Sequence, residues 1–197
     1  MNIHHRYPDA HHDVSSNTIF GFWIYLMTDC VLFAALFATY AVLGKSTFGG
    51  PSAHDLFDLP FALTETMVLL ASSFTCGLAM LGVPRKEQNH MLIWFAITFL
   101  LGIAFMAMEI AEFRRLISEG HTWQSNAFLS SYFTLVGTHG LHIVVGLMMM
   151  AVFVIQMIRR GLTAFILRRL ICLKMYWHFL YLIWIFTFVL VYLIGAK

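Results

Sequence analysis

The chain has 197 residues with a formal net charge of +2, and 60% of its residues are hydrophobic against 11% charged. Soluble domains carry roughly 25% charged residues and disordered chains combine high charge with low hydrophobicity, so this composition excludes both classes. Twelve basic residues against ten acidic ones leave no basic stripe, and we expect no nucleic-acid partner.

Residues 1–18 are polar and predict a cytoplasmic tail. They lack the apolar core of a signal peptide. Metal binding by paired histidines is one interpretation of this tail, and a solvated extension is the favoured one. The histidines are His4, His5, His11 and His12.

Five apolar runs follow, each long enough to cross a bilayer, which takes roughly 20 helical residues. No alternating ten-residue segments typical of barrel strands occur, and lipid favours helices because they pair their own backbone polar groups. The sequence therefore predicts an all-α, polytopic membrane protein whose residues 19–197 form one bundle of five transmembrane helices. The predicted spans cover about residues 19–43, 61–83, 91–113, 128–158 and 175–194.

Basic residues are divided unequally between the two sides of this bundle. The side with the N-terminus carries eight of them, five within residues 159–174, and the other side carries four. Because positive charge accumulates on the cytoplasmic side, we expect a cytoplasmic N-terminus and a periplasmic C-terminus.

Ionisable residues inside spans are costly and indicate functional sites. Asp29 lies about 15 Å deep in the first span, and His139 about 14 Å from the same face in the fourth. His142 is on the same side of that helix about 4.5 Å lower. We expect Asp29 to meet one of these histidines, either as a structural clamp or as a pair that holds or relays a proton.

Four further polar residues lie in the spans. Glu109 and Glu112 lie near the outer end of the third span, where Glu112 is interpreted as interfacial and Glu109 as deep enough to bond to another helix. Glu65 follows Pro60 closely and is interpreted as a first-turn carboxylate near water. His178 follows Trp177 near the inner end of the fifth span, where such a pair is typical of interfacial anchoring.

The small residues of the fourth span, Gly137, Gly140 and Gly146, predict close helix contacts there. No site for a redox cofactor is predicted. Three intramembrane histidines are few for haem, and His139 and His142 point the same way and so cannot ligate opposite faces of one haem. The three cysteines, Cys30, Cys76 and Cys172, are far apart and are expected to be buried free thiols.

Several strings in the sequence resemble one known family. They are FGFWIYLMTDCVLFAALFATYAVL, GGP with LPFALTETMVLLASSFTCG, FMAMEIAEF, LVGTHGLHIVVGL, RRGLT and YWHFLYLIW. Over residues of about 18–197 the chain resembles subunit III of the haem-copper terminal oxidases. The likeness is closest to the five-helix form found in bacterial ubiquinol oxidases of the cytochrome o type.

The resemblance implies an accessory subunit of the aerobic respiratory chain, embedded in the bacterial inner membrane and without a cofactor of its own. Its partners would be subunit I, which carries haem and copper, oxidises quinol, reduces oxygen to water and pumps protons, and subunits II and IV. The family member helps to keep that activity durable. It also holds phospholipids in a cleft between its first two helices and the rest.

The resemblance also bears on individual residues. Asp29 matches an acid that in cytochrome c oxidases is a Glu, the site of carbodiimide attack, and is linked to proton uptake. The other polar residues of the spans match polar positions of the family. One position departs from the pattern, because Tyr181 stands where the family usually has Asp, and no role is carried over to it.

Two other functions compete with this interpretation. The first is a stand-alone transporter or proton channel that uses Asp29 with His139 or His142, although the five spans show no self-similar halves. The second is a haem-carrying electron-transfer protein, which would show a Soret band in the isolated chain.

Overall fold

The computed structural model describes residues 10–44, 58–83 and 87–193, with residues 10–16 and 164 described by their backbone alone. Within these ranges the chain forms five helices and no strand. All five are long and apolar enough to cross a membrane, which confirms the predicted all-α transmembrane bundle. The helices are α1 (Ala10–Leu43), α2 (Leu59–Leu81), α3 (Gln88–Ser118), α4 (Ala127–Arg160) and α5 (Ala164–Thr187), and α5 continues as a π-helical turn, Phe188–Leu193.

All five helices begin before their predicted spans, and two of them begin much earlier. α1 begins at Ala10, inside the predicted tail, and α5 begins at Ala164 although its span was predicted to start at Met175. Arg168, Arg169 and Lys174 lower the hydropathy of this segment, yet long cationic side chains can lie along a helix and reach the interface. His4 and His5 lie outside the described residues, and His11 and His12 have helical backbone.

Local signals determine where the helices begin and end. The Asn126 side chain accepts a hydrogen bond from the Leu129 amide at 2.7 Å, which caps the start of α4. Gly120, with φ of 84°, follows the end of α3, where the amides of Gly120 and His121 donate to the carbonyls of Ile117 and Leu116. This is the Schellman arrangement, which favours glycine because it needs a left-handed residue.

The fourth and fifth helices each pack against three others. α5 packs against α1, α2 and α4, while α3 packs against α2 and α4. α1 packs chiefly against α4 and α5. The first two helices therefore do not form a unit separate from the rest, unlike the arrangement that the family resemblance implies for its lipid cleft.

Trp177 connects α5 to three other helices. Its indole Nε1 donates to the Ser72 hydroxyl on α2 at 3.0 Å. A Cβ added at Gly102 of α3 or at Gly146 of α4 would lie 3.0 Å from its ring carbons. Trp177 is 1% exposed, and its ring fills the space that the two glycines leave.

The small-residue prediction for α4 holds at two positions and fails at one. A Cβ added at Gly146 would meet Trp177, and one added at Gly140 would lie 2.5 Å from the carboxyl oxygen of Glu109. At Gly137 the nearest atom would be 3.9 Å away, an ordinary contact. Gly140 and Gly146 are therefore the residues that allow close packing on α4.

The three cysteines are free. Cys76 and Cys172 are buried as predicted, whereas Cys30 is exposed on α1. α1 also exposes large apolar side chains on several sides, as expected of a helix with few neighbours in a lipid phase. Those at least half exposed are Phe20, Trp23, Ile24, Met27, Val31 and Val42.

Candidate functional site

Asp29 of α1 lies next to His142 of α4. The Asp29 Oδ2 and the His142 Nε2 are 3.9 Å apart, and Asp29 is 8% exposed. Of the two histidines that the depth argument allowed, the structure brings His142 to Asp29.

The hydrogen bonds of His142 determine what this pair can hold. Its Nδ1 lies 2.7 Å from the carbonyl oxygen of Thr138, which can only accept, so Nδ1 carries a hydrogen. In a neutral ring, the Nε2 that faces Asp29 then carries a lone pair and no hydrogen. A lone pair opposite a carboxylate is repulsive, whereas one proton on either group makes the contact attractive. The geometry therefore suits a pair that holds a proton between α1 and α4.

Aromatic side chains surround the pair. The ring of Phe33 lies 5.1 Å from that of His142 between centroids, and Tyr25 lies one turn before Asp29 on α1. The Tyr176 hydroxyl of α5 donates to the His142 carbonyl at 3.0 Å. The contact thus lies where α1 reaches α4 and α5.

His139 does not contact Asp29. Its Nε2 lies 3.2 Å from the Leu180 carbonyl oxygen of α5, so that nitrogen carries a hydrogen and donates. Its ring centroid is 5.0 Å from that of Trp184. His139 is fully buried and serves as a link from α4 to α5.

Three glutamates of α2 and α3 come together inside the bundle. Glu65, Glu109 and Glu112 are 0%, 3% and 2% exposed. Glu65 is therefore shielded from water, contrary to its interpretation, and Glu112 faces the core of the bundle and not its surface. Depth along a helix can be counted from the sequence, but the side of the helix that faces the core cannot. The expectation that Glu109 reaches another helix holds, since its carboxyl lies against Gly140 of α4.

His178 and Tyr181 lie apart from both groups. The His178 Nδ1 is 2.9 Å from the Lys174 carbonyl oxygen on the preceding turn, and the ring is half-buried. Tyr181 is partly buried against the apolar core. Neither residue contacts Asp29, His142 or the glutamates through a hydrogen bond among the described residues.

A basic groove lies where α4 ends and α5 begins, and the sequence did not reveal it. The Arg169 guanidinium is 4.0 Å from the centroid of the Phe165 ring and donates to the Gln156 side chain at 3.0 Å. One part of the groove measures about 540 Å³ and includes Arg159 and Arg160. A second part, about 370 Å³, includes Arg168 and reaches Phe22 of α1. We name these two parts together the arginine groove.

No metal centre is evident in the ranges that the structure covers. Among their His, Cys, Asp and Glu side chains, no three stand close enough together to hold a metal ion.

Comparison with known proteins gives one family. The model of the family described as cytochrome c oxidase subunit III matches residues 5–196. "Cytochrome bo(3) ubiquinol oxidase subunit 3" of Pseudomonas aeruginosa is 55% identical over 188 residues, which is 95% of this chain and 90% of the relative. The protein of the same name from Pseudomonas putida is 52% identical over 94% of this chain and 89% of its own length. "Cytochrome c oxidase subunit 3" of Bacillus sp. strain PS3 is 42% identical over 91% of this chain and 86% of its own length.

Proposed function

This chain belongs to the cytochrome c oxidase subunit III family, and on that basis we propose that it is the accessory subunit 3 of a proton-pumping ubiquinol oxidase. It is a multi-pass protein of the bacterial inner membrane. The observation that carries the proposal is the 55% identity to a ubiquinol oxidase subunit over 95% of the chain. The relatives give no support to a stand-alone transporter or proton channel.

The electron donor of the complex is ubiquinol in this proposal. The relatives at 55% and 52% identity are named as ubiquinol oxidase subunits, whereas the one named as a cytochrome c oxidase subunit is 42% identical. Haem and copper belong to subunit I of the complex, which this chain contacts, with subunits II and IV as further partners. The chain itself has the N-terminus in the cytoplasm and the C-terminus in the periplasm.

Purification from the native membrane tests the complex. A tag on this chain should recover several other membrane proteins, one of which gives the complex a Soret band. After this chain is separated from them, it should show no Soret absorbance of its own. Recovery as a homo-oligomer without partners would contradict the proposal, and a Soret band in the separated chain would support the haem-protein alternative.

Within the complex we propose that Asp29 and His142 clamp α1 to α4. The support is the 3.9 Å contact between a buried carboxyl and an imidazole on two different helices. Support of proton uptake by the same pair is the second candidate role, because the lone pair on Nε2 faces the carboxyl.

Retention of phospholipid is the other part of the proposed function, and the arginine groove is its candidate site. Its walls are apolar, from Val152, Phe153 and Phe165, and its rim carries four guanidinium groups. In the described part of the chain these arginines have no acidic side chain as an ion-pair partner. Basic pockets between transmembrane helices on the cytoplasmic side suit anionic lipid headgroups.

We expect Arg168→Gln to weaken retention of anionic phospholipid about fivefold, because a cation near an anionic headgroup contributes about 1 kcal/mol. Lipids that co-purify with the complex would be counted by mass spectrometry at rising detergent concentration. Arg114→Gln removes the same charge from an exposed position of α3 at the other end of the bundle and is the matched control. Equal anionic lipid in both variants would rule out the groove as the site.

A further inference from the structure

The three buried glutamates form a cluster with two tyrosines that the proposed function does not use. Tyr192, in the π-helical turn after α5, donates from its hydroxyl to the Glu112 Oε2 at 2.8 Å. The hydroxyl of Tyr192 is 3.0 Å from that of Tyr132 of α4. Four helices therefore contribute to one polar cluster inside the bundle. We call Glu65, Glu109, Glu112, Tyr132 and Tyr192 the carboxyl cluster.

Glu65 supports the cluster independently of the two glutamates on α3. It comes from a different helix, is fully buried, and has no hydrogen-bond partner at either carboxyl oxygen. It lies close enough to Glu109 and Glu112 for their charges to interact. One oxygen each of Glu109 and Glu112 also has no hydrogen-bond partner. Four buried acceptor oxygens thus lie within one cluster without a donor.

The charges around the cluster do not balance three carboxylates. Among the described residues, the positive charge of Arg115 interacts with Glu112. Asp58, before α2, adds a further negative charge. Burial of an ion in a membrane bundle is energetically unfavourable, and neighbouring like charges add to that cost. A proton removes both costs, because a neutral carboxyl group carries no charge and provides a donor for a neighbouring oxygen.

We propose that Glu65, Glu109 and Glu112 together form a buried proton-binding site, in which protons bind the carboxyl groups and the linked hydroxyls of Tyr192 and Tyr132 orient that of Glu112. The ligand is a proton, exchanged through water, and not a metal ion. The site is separate from the Asp29–His142 pair. Gly140, which faces Glu109, and His142, which faces Asp29, are about 200° apart around α4.

Infrared spectroscopy of the purified complex at neutral pH tests this site. Wild type should show the C=O stretch of protonated carboxylic acid, shifted to lower frequency in heavy water, and Glu65→Gln, Glu109→Gln or Glu112→Gln should remove part of that absorbance. Glu119→Gln, on an exposed residue just beyond the same end of α3, is the matched control and should leave the spectrum unchanged. If none of the three variants loses absorbance, the cluster is ionised and the proposal fails.

A second variant keeps the test decisive if a glutamine substitution prevents assembly. Tyr192→Phe removes the hydroxyl that donates to Glu112 and keeps the ring, so the C=O band should shift to higher frequency without loss of area. An unchanged band would contradict the proposal. Stoichiometric sodium or potassium that co-purifies with the wild-type complex and is lost in Glu109→Gln would also contradict it, because the ligand would then be a metal cation.

Discussion

Replacing Trp177 by Ala is expected to lower the free energy of unfolding by about 3–5 kcal/mol, the range for removing a large buried aromatic side chain. The indole is 1% exposed and contacts Gly102, Gly146 and Ser72 on three different helices. Its loss leaves a cavity that the neighbouring glycines cannot fill, and it removes the donor to the Ser72 hydroxyl. Denaturant titration of helical circular dichroism in detergent micelles measures the change.

Trp23→Ala is the matched control for that measurement. Trp23 is 50% exposed on α1, so its removal should change stability by less than about 1 kcal/mol. Similar losses from the two substitutions would mean that the contact of Trp177 with the glycines does not hold the bundle together.

Asp29→Ala is expected to leave the initial rate of oxygen reduction by the complex largely intact and to shorten the time over which the rate is sustained. The substitution removes the polar contact between α1 and α4. α1 also supplies Thr18 and Phe22 to the wall of the arginine groove, so a loosened α1 should reduce the phospholipid content as well. Oxygen consumption followed over repeated turnover, with lipid analysis before and after, measures both effects.

Two variants make this result specific. Cys30→Ala changes the exposed neighbour of Asp29 and should behave as wild type. Asp29→Asn keeps a hydrogen-bonding group but has no titratable proton. If the pair is a clamp, this variant should sustain oxygen reduction. If the pair holds a proton, the rate should decline as early as in Asp29→Ala. Immediate loss of activity in an assembled Asp29→Ala complex would make Asp29 catalytic and the assignment as an accessory subunit wrong.

Much of the fold could be predicted because the bilayer imposes length and hydropathy on every span. Five apolar runs of sufficient length were enough to predict the five-helix bundle. Counting 1.5 Å per residue also placed Asp29 at the level of His139 and His142. The count could not choose between those two histidines, because both lie on one side of α4 and the rotation of the helices in the bundle decides which one meets α1.

Helix rotation also explains why the carboxyl cluster could not be predicted. Glu65 and Glu112 lie near the ends of apolar runs, which suggested contact with water, but helix rotation directs both into the core. The tyrosines of the carboxyl cluster could not be distinguished from those of an interfacial belt. The start of α5 was missed because arginines interrupt the apolar run, although Arg169 lies over the rings of Phe165 and Phe153.

The position of α1 has a consequence for how the protein is made. This helix leaves the ribosome first, yet the surfaces on which it packs belong to α4 and α5, which are translated last. Until residue 142 has entered the bilayer, Asp29 has no histidine opposite it, and the segment must wait in lipid with its acid unpaired. The bundle can therefore be completed only after the last two helices have inserted. In a nascent chain stalled before them, the first helix has no surface on which to pack.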